Sequence, residues 1–155
     1  MRTVNNSQDI LDSRDVIERR DELTEERCDL EQAIKDAEEA AEDMTDSDAE
    51  DGATPAEDLR KAKAALLEWD EENAVELAAL EAFISQGSSS WEDGETLIRE
   101  SYFETYAQEL AEDIGALEGL DRWPATCIDW EHAARELRYD YIGADFDGVT
   151  YYYHV

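Results

Sequence analysis

The chain of 155 residues has the length of one domain or of a domain with an appendage, and its 43 acidic against 13 basic residues leave a formal charge of -30. A surface of that sign repels phosphate backbones and anionic lipid, which argues against direct nucleic-acid binding and membrane adsorption. It attracts cationic clefts within about a Debye length, roughly 8–10 Å.

Residues 1–12 are polar and lack both the apolar stretch of a signal peptide and the longer run needed to cross a bilayer, so they are predicted to be a flexible lead. Residues 13–43 carry no Gly or Pro and predict one long helix, with Val16, Leu23, Leu30, Ile34, Ala37 and Ala41 on a single apolar stripe. A polar break follows. Thr54, Pro55 and Glu57 then give an N-cap, a first helical position and a capping-box acid, predicting a second helix over 55–84. Its stripe is Leu59, Ala62, Leu66, Trp69, Leu77, Leu80 and Ile84, with Asn73 inside it as a candidate register-fixing polar residue or a partly exposed one. Two such helices joined by a short loop predict an antiparallel hairpin over 13–85.

Gln86-Gly-Ser-Ser-Ser90 reads as a domain boundary, and 86–155 as a small α+β domain holding all seven tyrosines. Ser101 to Glu104 predicts a capping box opening a helix to about Ile114, with Phe103, Ala107, Leu110 and Ile114 buried. Asp129 predicts the N-cap of a helix through Leu137, and residues 141–154 predict a β-hairpin turning at Asp147-Gly148. Trp91, Trp123 and Trp130 are read as core rather than as interface anchors. The fold class expected is α+β, mainly α: a long N-terminal antiparallel helical hairpin followed by a small α+β domain ending in a β-hairpin.

No residue constellation predicts catalysis, a cofactor or a metal. Cys28 and Cys127 match no disulfide framework or zinc knuckle, which suits a reduced, cytoplasmic setting. The pair Asp129 and His132 is explained by helix capping. The run Asp46, Asp48, Glu50 and Glu57 imitates an EF-hand loop, but Asp51 stands where the sharp turn needs Gly, and Gly52 comes one place late.

The carboxylates of the first helix carry more information. Glu18, Asp21, Glu25, Asp29, Asp36, Glu39 and Asp43 fall opposite the apolar stripe, mostly at three- and four-residue steps, while Arg19, Arg20 and Arg27 fall toward the seam. A merely solvated face alternates its signs. An unrelieved ridge predicts a partner with a basic groove and makes mimicry of nucleic acid the leading functional expectation.

The run from Tyr102 to Gly115, Ile128 to Leu137, Asp140-Tyr141 and the closing Phe146 to Tyr151 hairpin resembles the last domain of ArdA-type antirestriction proteins and an uncharacterised group of acidic phage proteins with the same ending. ArdA proteins are elongated acidic dimers that imitate bent duplex DNA. The resemblance covers about the last third of the chain; residues 13–84 have no counterpart there. It implies an anionic decoy against a host defence complex, with Glu104, Glu109, Glu112, Asp113, Asp129, Glu131 and Glu136 as surface carboxylates of the shared part. The expectation is therefore a non-enzymatic phage or mobile-element protein occupying the basic cleft of a restriction enzyme or CRISPR effector, as a monomer or homodimer. The alternative is a helical-hairpin adaptor that assembles through apolar contacts, its acidity serving solubility.

Overall fold

The computed structural model describes residues 4–43, 54–120 and 122–155. The fold is α+β and mainly α. Helices α1 (Ser13–Asp43) and α2 (Pro55–Ile84) are long, and α3 (Phe103–Asp113) and α4 (Trp130–Leu137) are short. The strands are β1 (Ile10–Asp12), β2 (Thr96–Arg99), β3 (Tyr141–Phe146) and β4 (Val149–His154). The chain divides into two compact units, residues 18–81 and residues 1–17 with 82–155.

The first unit is the helix pair. Pro55 opens α2 with its φ already helical, and the Thr54 carbonyl accepts from the amides of Glu57 at 2.7 Å and Asp58 at 3.1 Å. Side chains meet between Arg19 and Glu76, Glu26 and Trp69, Arg27 and Asp70, and Glu38 and Lys63. Residue numbers rise along α1 as they fall along α2, so the pair is antiparallel. Both predicted stripes are the covered faces: Leu23 and Leu80 are fully buried, and Leu30, Ile34, Ala37, Ala41, Leu59, Ala62, Leu66, Trp69 and Leu77 are half-buried. Asn73 does not fix register across the seam, because its amide donates back to the Trp69 carbonyl of its own helix at 3.1 Å. The EF-hand-like residues 46–52 lie outside the described residues.

The second unit is a sheet in the order β1-β2-β4-β3, antiparallel throughout. On one face Leu11 pairs with Leu97, and Phe83 stacks on Phe146 with ring centroids 4.7 Å apart while meeting Trp91 edge-on at 5.0 Å. On the other face Ile98, Phe103, Ala107 and Ala134 form a cluster ringed by Tyr102, Tyr106, Leu137, Tyr141 and Tyr152, which brings in α3 and α4. The hairpin turn forms as predicted, with Asp147 at φ 49° and Gly148 at φ 80°, the left-handed pair that a two-residue turn requires.

Five expectations need correction here. The stretch 1–12 is not a flexible lead: among its described residues, Val4 and Leu11 are buried, Ile10–Asp12 form the edge strand, and the Gln8 carbonyl accepts from the Tyr151 hydroxyl at 2.6 Å. A strand of three residues is too short to carry a readable alternation, and β2, at four residues, escaped for the same reason. Gln86 to Ser90 is not a boundary. The Gln86 side chain bonds both the amide and the carbonyl of Asp145 at 2.9 Å, and a Cβ on Gly87 would stand 2.4 Å from the Trp91 ring.

The capping box at Ser101 does not form. A 3-10 turn over Glu100–Tyr102 leads into α3, and the helix ends before Ile114, which is exposed. Of the tryptophans, Trp91 is buried and Trp130 half-buried, but Trp123 is 79% exposed and belongs to no core.

Ser13 closes this unit. Its hydroxyl donates to the Trp91 carbonyl at 2.7 Å and accepts from the Glu95 amide at 2.7 Å, while its own amide donates to the Glu95 carbonyl at 2.9 Å. The hydroxyl and amide of Ser13, which is fully buried, would otherwise lack partners, at about 1–3 kcal/mol each.

Phe83→Ala should therefore destabilise the protein by about 3–5 kcal/mol in chemical denaturation, whereas Leu67→Ala on the exposed side of α2 should stay within about 0.5 kcal/mol. A fragment of residues 86–155 should show no cooperative unfolding transition; a two-state melt would return the boundary to Gln86. Burial holds the Tyr151 hydroxyl's pKa up at about 12, against the usual 10. The folded state thus keeps the phenol proton more tightly than the unfolded chain. That contribution is complete below about pH 10 and is lost as pH rises toward 12. Alkaline melts should show the loss, and Tyr151→Phe should flatten it.

Candidate functional site

On α1 every member of the predicted ridge, Glu18, Asp21, Glu25, Asp29, Asp36, Glu39 and Asp43, is exposed, and all seven lie in the helix-pair unit. At 1.5 Å per residue the ridge is about 38 Å long. The seven-residue step between Asp29 and Asp36 is spanned by Gln32, whose amide donates to Asp36 Oδ1 at 2.8 Å. That contact fixes one carboxylate without neutralising it.

The cations of α1 go elsewhere. Arg19 donates to Glu76 through Nε at 2.8 Å and Nη2 at 3.3 Å, and reaches Glu22 at 3.3 Å. Arg27 bridges Asp70 at 3.0 Å and Glu31 at 2.6 Å. Both guanidinium pKa values are raised, chiefly by the hydrogen bonds to Glu76 and to Asp70, so the seam holds two permanent cations between two acidic helices. Lys63 adds a third contact, 3.1 Å from Glu38. Arg14 is held by Asp12 at 2.8 Å. Lys35 is exposed and stands one turn before Glu39, about 40° around the helix, so it flanks one edge of the ridge.

Arg20 departs from expectation. It turns to Asp21 rather than into the seam, so one of the seven ridge carboxylates is partly neutralised. Surface pairs of this kind contribute about 0–1 kcal/mol and are readily exchanged for a stronger partner.

In the sheet unit Glu104, Glu109, Glu112, Asp113, Asp129, Glu131 and Glu136 are all exposed, but three of them are engaged. Asp129 is the N-cap of α4, accepting from the His132 amide at 3.0 Å, which leaves no reason to read that pair as metal ligands. Glu131 bridges Arg135 at 3.0 Å, and Glu109 accepts from the Tyr102 hydroxyl at 2.8 Å. The side chains of Glu104, Glu112, Asp113 and Glu136 make no such contact among the described residues. This second surface is sparser than the ridge.

Among the described residues no group of three or more His, Cys, Asp or Glu is arranged to hold a metal ion, and no helix is long and apolar enough to cross a membrane. Sequence reasoning missed the seam acids Glu76 and Asp70, because naming them requires the register between helices, and also Glu22 and Glu31, whose three- and four-residue spacing from Arg19 and Arg27 was readable within α1. It also missed Leu67 and Val75, 63% and 79% exposed on the outer side of α2. Their signal was present: α2 is apolar on both sides of its wheel, with Ala64, Ala74 and Ala78 beside them. Comparison of the chain with protein-family models, with curated proteins and with solved structures finds no match.

Like charges at three- and four-residue spacing destabilise a helix by a few tenths of a kcal/mol per pair. The triple neutralisation Glu25→Gln, Asp29→Asn, Asp36→Asn should therefore leave the thermal midpoint unchanged or raise it. A loss above about 1 kcal/mol would make the ridge a structural element instead.

Proposed function

We propose that this protein is an anionic decoy that occupies the basic nucleic-acid cleft of a host restriction enzyme or CRISPR effector, and so acts as an anti-defence protein of a phage or mobile element in the bacterial cytoplasm. The observation that carries this reading is the sorting of charge on α1: seven exposed carboxylates on one side, with Arg19 and Arg27 committed to the seam on the other.

The physics favours such a role. Each strand of duplex DNA presents a phosphate about every 3.4 Å along the axis, so a row of seven carboxylates over about 38 Å is a sparser version of one strand. A cleft built of Lys and Arg accepts carboxylate oxygens through the same charge-assisted hydrogen bonds it makes to phosphate. Because the carboxylates ride on a helix rather than on a disordered acidic tail, little backbone entropy is lost on docking. The resemblance of the C-terminal part to ArdA-type proteins supports the same class of target, and the exposed carboxylates of α3 and α4 would add a second, weaker contact. The function needs no catalytic group or cofactor.

Pull-down from bacterial lysate at low and at high salt, followed by mass spectrometry, tests the proposal. The expected capture is a restriction or CRISPR complex, released by salt and by added duplex DNA. Glu25→Lys with Asp29→Lys and Asp36→Lys should weaken that capture by about a hundredfold or more. Salt-resistant capture of a protein without a nucleic-acid groove would instead support an adaptor working through apolar contacts.

A further inference from the structure

The helix pair is not held equally along its length. Within residues 18–81 the buried residues among those described are Leu23 and Leu80, where α1 begins and α2 finishes. Every described residue of 24–43 and 54–79 is exposed or half-buried. Polar contacts across the seam thin out in the same direction. Arg19 with Glu76, Glu26 with Trp69 and Arg27 with Asp70 all come in the first half of α1. Beyond them one ion pair crosses among the described residues, Glu38 with Lys63 at 3.1 Å, and both of its side chains are about half exposed.

Charge accounts for why these weakly packed stretches meet at all. Residues 29–43 hold seven carboxylates and one base, Lys35, whereas residues 55–66 hold more bases than acids, Arg60, Lys61 and Lys63 against Glu57 and Asp58. An exposed ion pair of the Glu38–Lys63 kind contributes about 0–1 kcal/mol. Resistance to local opening follows buried apolar contact, which is slight here and greatest at Leu23 and Leu80. We infer that residues 30–43 and 55–66 form an ionic clasp, which opens and recloses as one unit while the Leu23–Leu80 end of the pair stays shut.

The clasp divides the ridge. Glu18, Asp21, Glu25 and Asp29 precede it, and Asp36, Glu39 and Asp43 ride on it. Released from α2, a short helical extension is marginal in water, so these last three carboxylates can shift against the first four. The ridge is then a fixed row followed by an adjustable one, suited to a basic surface that curves away from a straight helix. That consequence rests on the decoy reading; the opening itself does not, and it is measured with no partner present.

The experiment is native-state amide hydrogen exchange of the full chain. Amides of 30–43 and 55–66 should exchange about a hundredfold or more faster than those beside Leu23 and Leu80, and the two segments should share one opening rate. Lys63→Glu should speed both segments by about fivefold, and adding Glu38→Lys to that variant should return them to the native rate. Ala37→Leu with Ala62→Leu, which adds apolar area to both stripes, should slow both by about tenfold and leave the Leu23–Leu80 end unchanged. Equal protection along both helices, different opening rates in the two segments, or indifference to Lys63→Glu overturns the inference. Failure to capture a basic partner would count against the decoy reading and leave this exchange pattern standing.

Discussion

Two acidic helices cannot lie side by side unless cations are placed between them, and this constraint sets the charge pattern of the helix pair. Arg19 and Arg27 each take one carboxylate from α2 and one from α1, and Lys63 returns the contact from α2. The apolar stripes add the burial of Leu23 and Leu80, but the stripe of α1 thins to alanine toward the loop, where Ala37 and Ala41 bury little area. Ionic contacts are therefore most needed along the seam. Once the few bases are used there, the opposite side of α1 has almost none left, and the ridge follows. The same allocation that closes the pair leaves the ridge carboxylates other than Asp21 without an ion pair among the described residues.

The sheet unit solves a different problem. Its central aromatic residues, Phe83, Trp91, Phe146 and Tyr151, come from distant parts of the sequence, and the N-terminal strand completes the sheet on the far side of β2. Polar groups are used as closures: Ser13 satisfies the Trp91–Glu95 loop, and Gln86 covers the outer backbone edge of β3 at Asp145. An amide side chain offering one donor and one acceptor replaces a strand neighbour there, which blocks edge-to-edge pairing at that position. Such closures make the unit discontinuous in sequence yet cooperative.

The elements most legible in the sequence were those with long periodicity or strong local chemistry. Both long helices, their stripes, the Asp129 cap and the Asp147-Gly148 turn each have a local cause that no tertiary contact overrides. What escaped was non-local. A three-residue strand such as Ile10–Asp12 exists because Leu97 lies across from Leu11, and nothing near it in sequence announces that pairing. Gly87 and its serines look like a linker by composition, whereas Gly87 is there because the Trp91 ring leaves no room for a Cβ. Of the candidate site, the positions of all seven ridge residues on α1 were readable from 3.6-residue geometry. The destination of Arg20 was not, since a side chain that can reach either Asp21 or the seam is decided by packing.

The decoy account rests on the ridge acting as a row of charges. The most direct measurement is the dependence of affinity on salt for a purified partner cleft, taken with the native chain and with the Glu25→Gln, Asp29→Asn, Asp36→Asn variant. The account predicts a steep fall in affinity with salt for the native chain and a shallower slope for the variant, with both competed by duplex DNA. Equal slopes, or an affinity indifferent to salt, would show that the ridge is only a solvated face and would contradict the account.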